Sequence, residues 1–226
     1  MKAQIPGRDV AIRWPVYGGV RERKVTDSPS RAWYALSFTS GALLQREAQV
    51  AAALYLEENA WSRVRERIEV DNLLQARTRS SSQRLARETV QRLEVLSTPE
   101  IELLVESTSS ERGHLLWLAA CRRYALIGEF AEEVLRERYL LLAPTLSYED
   151  FDSFIASKAL WHEELDQTED STMRKLRANV FRMLVEANLV SEEGHITQVT
   201  LSSRVQKFLS AGTPNDIRFF PAQGAA

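Results

Sequence analysis

Residues Asp71–Leu93 read DNLLQARTRSSSQRLARETVQRL, a turn leading into a basic helix. Arg77, Arg79, Arg84, Arg87 and Arg92 stand there against a single acid after Asp71, namely Glu88. Ser80–Ser82 lie where a helix should begin, and Ser80 with Gln83 fits a capping box that satisfies the first free backbone donors. A helix from about Ser81 to Leu96 puts Leu85, Thr89, Leu93 and Leu96 on a core stripe and Arg84, Arg87 and Gln91 on the adjacent face. A helix N-terminus offers free N–H groups and partial positive charge, both of which attract phosphate. Basic residues in the first turn oppose the macrodipole, so helix stability does not account for them. Arg77, Arg79, Arg84 and Arg87 are therefore candidate phosphate contacts, with Ser81 or Ser82 donating to one phosphate. The competing reading is a solvated face whose arginines pair with acids elsewhere.

Two helices are expected before this one. From Gly41, Leu43, Leu44, Glu47, Ala48, Ala51, Ala52 and Tyr55 recur at helical spacing. A second helix, Ala60–Gln75, turns Trp61, Val64, Ile68 and Leu73 inward and Arg63, Arg65 and Arg67 outward. Three short helices with a basic third outline a helix-turn-helix unit.

The second informative region follows Asp166–Thr172, DQTEDST, a turn ending in N-cap residues. The helix MRKLRANVFRMLVEANLV turns Leu176, Val180, Leu184, Met173 and Phe181 to the core, leaving Arg174, Lys175, Ala178 and Arg182 outside. Arg174, Lys175 and Arg182 are the candidate nucleic-acid contacts here. Glu193-Gly194 then separates short β-favouring runs that read as a hairpin near Leu189–Leu201. Helix, basic helix and hairpin is the order of a winged helix, although unrelated small α+β domains share it.

Between these regions lie helices at Thr98–Glu106, with Pro99 in its first turn, at Glu111–Ala125, and at Glu129–Arg138. Another opens at Ser147 and runs through Leu160. The expected fold is mainly α, with two helix-turn-helix-like halves. Its organisation is an irregular extension over 1–35 with a short strand at Val10–Trp14, a helix-turn-helix-like domain over 36–98, and an acidic helical segment over 99–145. A winged-helix-like domain over 146–212 and a flexible tail over 213–226 complete it.

Charge follows the same division. The 226 residues carry a net −2, but residues 60–92 hold eight Lys/Arg against four Asp/Glu, while residues 94–170 hold six against seventeen. Such asymmetry points to nucleic acid on one face, or to charge-matched protein partners. The apolar runs Leu115–Cys121 and Tyr139–Ala143 are too short to span a bilayer, and the first residues lack a signal-peptide core. With one cysteine, Cys121, in an apolar run, a reducing cytoplasmic setting is expected.

Catalytic signatures are missing. His114, His162 and His195 are widely spaced, and His162-Glu163-Glu164 has no second histidine at helical spacing. Cys121 and His114 match no zinc spacing. No phosphate-binding glycine loop or nucleophile elbow occurs. The carboxylates Glu132-Glu133, Glu149-Asp150-Asp152 and Glu163-Glu164-Asp166 read as solvated faces, and Trp61, Trp117 and Trp161 as core packing. No enzyme, metal, cofactor or small-molecule substrate is expected.

The runs SFTSGALLQREAQVAAALY (Ser37–Tyr55), WSRVRERIEVDNLLQARTRSSSQRLARETVQRL (Trp61–Leu93), YALIGEFAEEVLRERY (Tyr124–Tyr139) and STMRKLRANVFRMLVEANLV (Ser171–Val190) resemble BrxA. BrxA is a small accessory protein of BREX, the bacteriophage-exclusion systems of bacteria. The resemblance covers roughly Tyr34–Gly212 and rests on the order of blocks rather than on a catalytic signature. It implies a compact helical protein that binds double-stranded DNA in phage defence and works with other BREX proteins, among them a DNA methyltransferase and a phosphatase-like protein. The family has also been likened to an RNA-binding antitermination factor, and members have carried an inner-membrane label against which this sequence argues. The alternative function is a protein-interaction scaffold that docks other BREX subunits.

Overall fold

The turn before the basic helix sets the geometry of the N-terminal helices. A computed structural model describes residues 33–39, 42–212 and 215–222, so the strand expected at Val10–Trp14 lies outside the described residues. Helix α1, Gln45–Glu58, starts later than Gly41 because Ala42 and Leu44 take positive φ values of 42° and 56°. It buries Ala48, Ala51, Ala52 and Leu54, and ends at left-handed Asn59, whose N–H donates to Tyr55 O. Helix α2, Trp61–Val70, stops short of the expected Gln75. Asn72 diverts the chain: its Oδ1 accepts from Ala76 N at 3.0 Å while its Nδ2 donates to Ala76 O at 3.1 Å. That side chain satisfies turn backbone that a continuing helix would have used.

Helix α3, Arg79–Leu93, is capped by Thr78 and not by Ser80. Thr78 is extended and its Oγ1 accepts from Ser81 N at 3.1 Å, which leaves Ser80 in the first turn and Gln83 exposed. The core stripe also rotates. Ser82, Ala86, Thr89, Val90, Arg92 and Leu93 are buried, whereas Leu85 is half-buried. The three helices pack on one another, and α1 and α3 both pack on the central α5, Ser109–Arg123.

Helix α5 is buried along Gly113–Cys121, as an apolar stretch surrounded by other helices must be. Capping boxes fix several helix starts. Ser97 and Glu100 open α4 (Thr98–Glu106), Thr108 and Glu111 open α5, and Ser147 and Asp150 open α8 (Tyr148–Ala159). The helix expected at Glu129–Arg138 begins earlier, as α6 (Ala125–Phe130), passes through a π-helical turn (Ala131–Arg136) and ends as α7 (Glu137–Leu140). After a short α9 (Glu163–Asp166), α10 runs Asp170–Glu186 and buries Leu176, Asn179, Val180, Met183 and Leu184. Met173 and Phe181, expected in the core, are half-buried. Trp161, also expected in the core, is 70% exposed because it sits in the turn that ends α8.

The described residues show only isolated β-bridges where a hairpin was expected, Val190 with Ile196 and Thr145 with His195. Gly194, at φ 85°, makes the turn, and its carbonyl accepts from Leu146 N at 2.8 Å. Thr197 N still donates to Leu189 O at 2.9 Å, and two residues later Val199 N donates to Pro221 O instead. The flexible tail expected from residue 213 does not hold for residues 215–222. Ile217, Phe219 and Phe220 are buried, and Trp117 Nε1 donates to Phe219 O at 2.9 Å. Helix α11, Ser203–Ala211, precedes that segment.

From Trp33 onward the chain forms one compact unit. Residues 34–39 and 42–45 strap its early and late helices together. Tyr34 stacks on His162 and donates from its hydroxyl to Glu129, Asn179 donates to Phe38 O and accepts from Ala42 N, and Glu186 accepts from Leu43 N. No helix among the described residues is long and apolar enough to cross a membrane.

Candidate nucleic-acid interface

Helix α3 stands as a ridge between two open clefts. The first, about 790 Å³, lies on the α2 side and includes Arg65, Arg77, Arg79 and Ser82 in its lining. The second, about 650 Å³, includes Ser81, Arg84, Arg87, Gln91 and Arg123. The sequence-derived candidates on this helix thus divide between two faces, and both faces are basic.

Position follows from the turn. The Asn72 ring and the 2.7 Å hydrogen bond from Arg46 Nη2 to Gln75 Oε1 brace residues 72–76, and Thr78 caps the helix behind them. Arg77 and Arg79 therefore flank the first helical N–H groups, which have no partner within the helix. Arg84 and Arg87 follow one and two turns later and are exposed. Ser81 Oγ accepts from Thr78 Oγ1 at 2.9 Å and keeps its own proton for donation. Ser82 is buried and its Oγ has no hydrogen-bond partner.

Ion pairing separates this face from its surroundings. On α2, Arg67 pairs with Glu57 and Glu58 at 3.0 and 2.8 Å, and, more loosely, Arg63 with Glu58 at 4.0 Å and Arg65 with Glu94 at 3.7 Å. Among the described residues, Arg77, Arg79, Arg84 and Arg87 have no carboxylate within 4 Å. Arg92 belongs to a different class. It is 3% exposed, donates from Nε to Glu88 at 3.0 Å, and donates from Nη1 to Ala42 O. The same Glu88, which also lines the second cleft, accepts from the Tyr124 hydroxyl, so the one acid on this helix is already engaged by Arg92 and Tyr124.

The α10 candidates are set apart. Arg174, Lys175 and Arg182 are exposed on the outer face, and Arg182 lines a separate groove with Tyr148, Phe181, Glu192 and Glu193. Their neighbour Arg177 is engaged, pairing with Asp152 and lying over the Tyr148 ring. Arg123 is a cleft residue that the sequence did not reveal. It comes from the last turn of α5, 36 residues beyond Arg87 in the chain, and no local pattern announces it.

Elsewhere, buried carboxylates serve as joints. Glu100 caps α4 and pairs with Arg122, which also binds Asp216 at 2.8 Å; burial pushes the Glu100 carboxyl up, but Arg122 and Ser97 outweigh it and lower it. Glu111 caps α5 and accepts from Ser202 and Arg204. Chiefly through the Ser202 hydroxyl, its carboxyl is lowered to about 2. Burial lowers the His114 imidazole and raises the Cys121 thiol. No group of three or more His, Cys, Asp or Glu among the described residues is arranged to hold a metal ion.

Comparison with known proteins agrees with this architecture. The chain is 27% identical over 179 residues to a BREX protein BrxA of Paramagnetospirillum magneticum, covering 78% of this chain and 89% of that one. It is 28% identical over 163 residues to a BREX protein BrxA of Escherichia coli, covering 71% of this chain and 75% of the relative. The crystal structure of an uncharacterized protein from Magnetospirillum magneticum superposes with a TM-score of 0.73 at 26% identity, over 84% of this chain and all of that one. The family model for BrxA matches residues 32–213, most of the chain, and the protein therefore belongs to the BrxA family of BREX, the bacteriophage-exclusion systems.

Proposed function

We propose that the protein is a non-catalytic accessory protein of a BREX phage-defence system that binds double-stranded DNA, chiefly through phosphates. One observation carries the reading: among the described residues Arg77, Arg79, Arg84 and Arg87 are exposed around the start of α3 without acid partners, while α2 beside them is ion-paired. Unpaired cations at a helix N-terminus suit a phosphate backbone and carry no base code, so little sequence preference is expected. In this reading α1–α3 act as a helix-turn-helix-like unit. Residues 146–212 act as a winged-helix-like half, its wing the turn closed at Val190 and Ile196. The test is duplex binding over a salt series. Each phosphate neutralised contributes about −0.9 to the slope of log K against log salt, and affinity unchanged between low and moderate salt would refute the electrostatic account.

A scaffold role is favoured by a different observation. Leu140, Leu141 and Leu142 are 48%, 76% and 85% exposed at the end of α7 and in the turn that follows, an apolar display that suits a protein partner such as another BREX subunit.

A further inference from the structure

We infer that the cleft between α2 and the start of α3 is a phosphodiester pocket in which the Ser82 hydroxyl donates to a phosphate oxygen. This rests on, and deepens, the duplex-binding reading, since the backbone of DNA supplies the phosphodiester. Ser82 lines the cleft, is 3% exposed, and its Oγ has no partner. A serine inside a helix ordinarily bonds a carbonyl one turn back or faces water, and Ser82 does neither. A buried hydroxyl without a partner is unfavourable, whereas alanine would fill the same place at no such cost.

A second orphan lies in the same cleft. Arg65 Nε is buried and unpartnered, and Arg65 Nη2 reaches no nearer than 3.7 Å to Glu94. Both orphans can donate, so both are satisfied by an oxygen acceptor. The first N–H groups of α3 add positive potential, and Arg77 and Arg79 complete the lining. Glu66 and Glu69 face them from α2. Three arginines against two carboxylates leave a formal charge of +1 in the cleft. That balance suits a phosphodiester, which carries a single negative charge, better than a phosphate monoester.

The test uses the full chain and dimethyl phosphate as the probe, with chloride at matched ionic strength as the reference. Dimethyl phosphate should raise the melting temperature of the native protein and leave that of Ser82→Ala unchanged. In chloride, Ser82→Ala should melt no lower than the native protein, which separates a ligand role from a packing role. Ser82→Ala should weaken duplex binding about tenfold with the salt slope preserved, because no cation is lost; Arg79→Ala should flatten the slope. Native duplex binding with no dimethyl phosphate effect, or with an effect that survives Ser82→Ala, would overturn the pocket and leave the duplex reading standing. A Ser82-dependent dimethyl phosphate effect in a protein that binds no duplex would sustain the pocket and reject the duplex reading, its phosphodiester then coming from another source such as single-stranded RNA.

Discussion

Arg92 lies one helical turn after Glu88 on α3, and its Nη2 stands 2.8 Å from the Glu88 carboxylate with both side chains buried or nearly so. Through that pair α3 is joined to Tyr124 on one side and to the Ala42 carbonyl on the other. The basic helix is thereby fixed to α5 and to the strap that precedes α1. An arginine of the same helix that looks equivalent in sequence thus does structural work.

Arg92→Ala should destabilise the fold by about 2–4 kcal/mol, because it leaves the largely buried Glu88 carboxylate without its cation and the Ala42 carbonyl without its donor. Urea unfolding measures this. A loss under about 1 kcal/mol would show that the pair is dispensable.

Arg84→Ala with Arg87→Ala should leave stability within about 0.5 kcal/mol of the parent, since both side chains are exposed. Duplex affinity should fall for all sequences alike, with the salt slope flattened by about 0.9 for each lost contact. The parallel change at Arg174 and Lys175 should cost less, because fewer cations cluster there. If both double variants bind DNA like the parent yet lose phage exclusion, these cations dock a protein partner instead.

Glu111 makes stability depend on acid. Its carboxyl is lowered from 4.5 to about 2 in the folded protein, chiefly by the Ser202 hydroxyl, so the folded state favours the ionised form. A depressed carboxyl contributes stability that is fully present above its unfolded value and lost as pH falls through the folded one. The stability advantage of the native protein over Glu111→Gln should be constant above about pH 5.5, shrink progressively below about 4.5 and be lost only below about 2. A gap as large at pH 2 as at pH 6 would exclude this origin.

Gly128→Ala should be destabilising by about 1–3 kcal/mol through overpacking. The added Cβ would sit 2.9 Å from the Cys121 carbonyl oxygen and 3.3 Å from a Phe219 ring carbon. Thermal unfolding would show the loss, and an unchanged melting temperature would mean that α5 and α6 can separate without cost.

Cys121→Ser should preserve phage exclusion, with a packing cost of about 1–3 kcal/mol for a hydroxyl placed at a site that is 3% exposed. A defence defect without a stability defect would point to thiol chemistry.

The helical class, the burial of α5 and the cap of α8 at Ser147 were legible in the residues alone, whereas the Ser97–Glu100 box of α4 was there to be read and was passed over. Each is a local matter: a continuous apolar run excludes water on every side, and a Ser-x-x-Glu or Ser-x-x-Asp pair satisfies its own helix start. The concentration of arginine between Arg77 and Arg92 was legible for the same reason. Which of those arginines face solvent depended on contacts distant in the chain. Arg92 and Arg87 are five residues apart on one helix, yet Tyr124 and the Ala42 carbonyl, both distant in sequence, bury the first and not the second. The cap at Thr78 likewise depended on the Asn72 turn, which ends α2 early and shifts the start of α3. The packing of Phe219 and Phe220 was hidden because their partners, Trp117 and His114, lie about a hundred residues away. Long-range burial assigns a side chain to core or surface, and no local spacing carries that information.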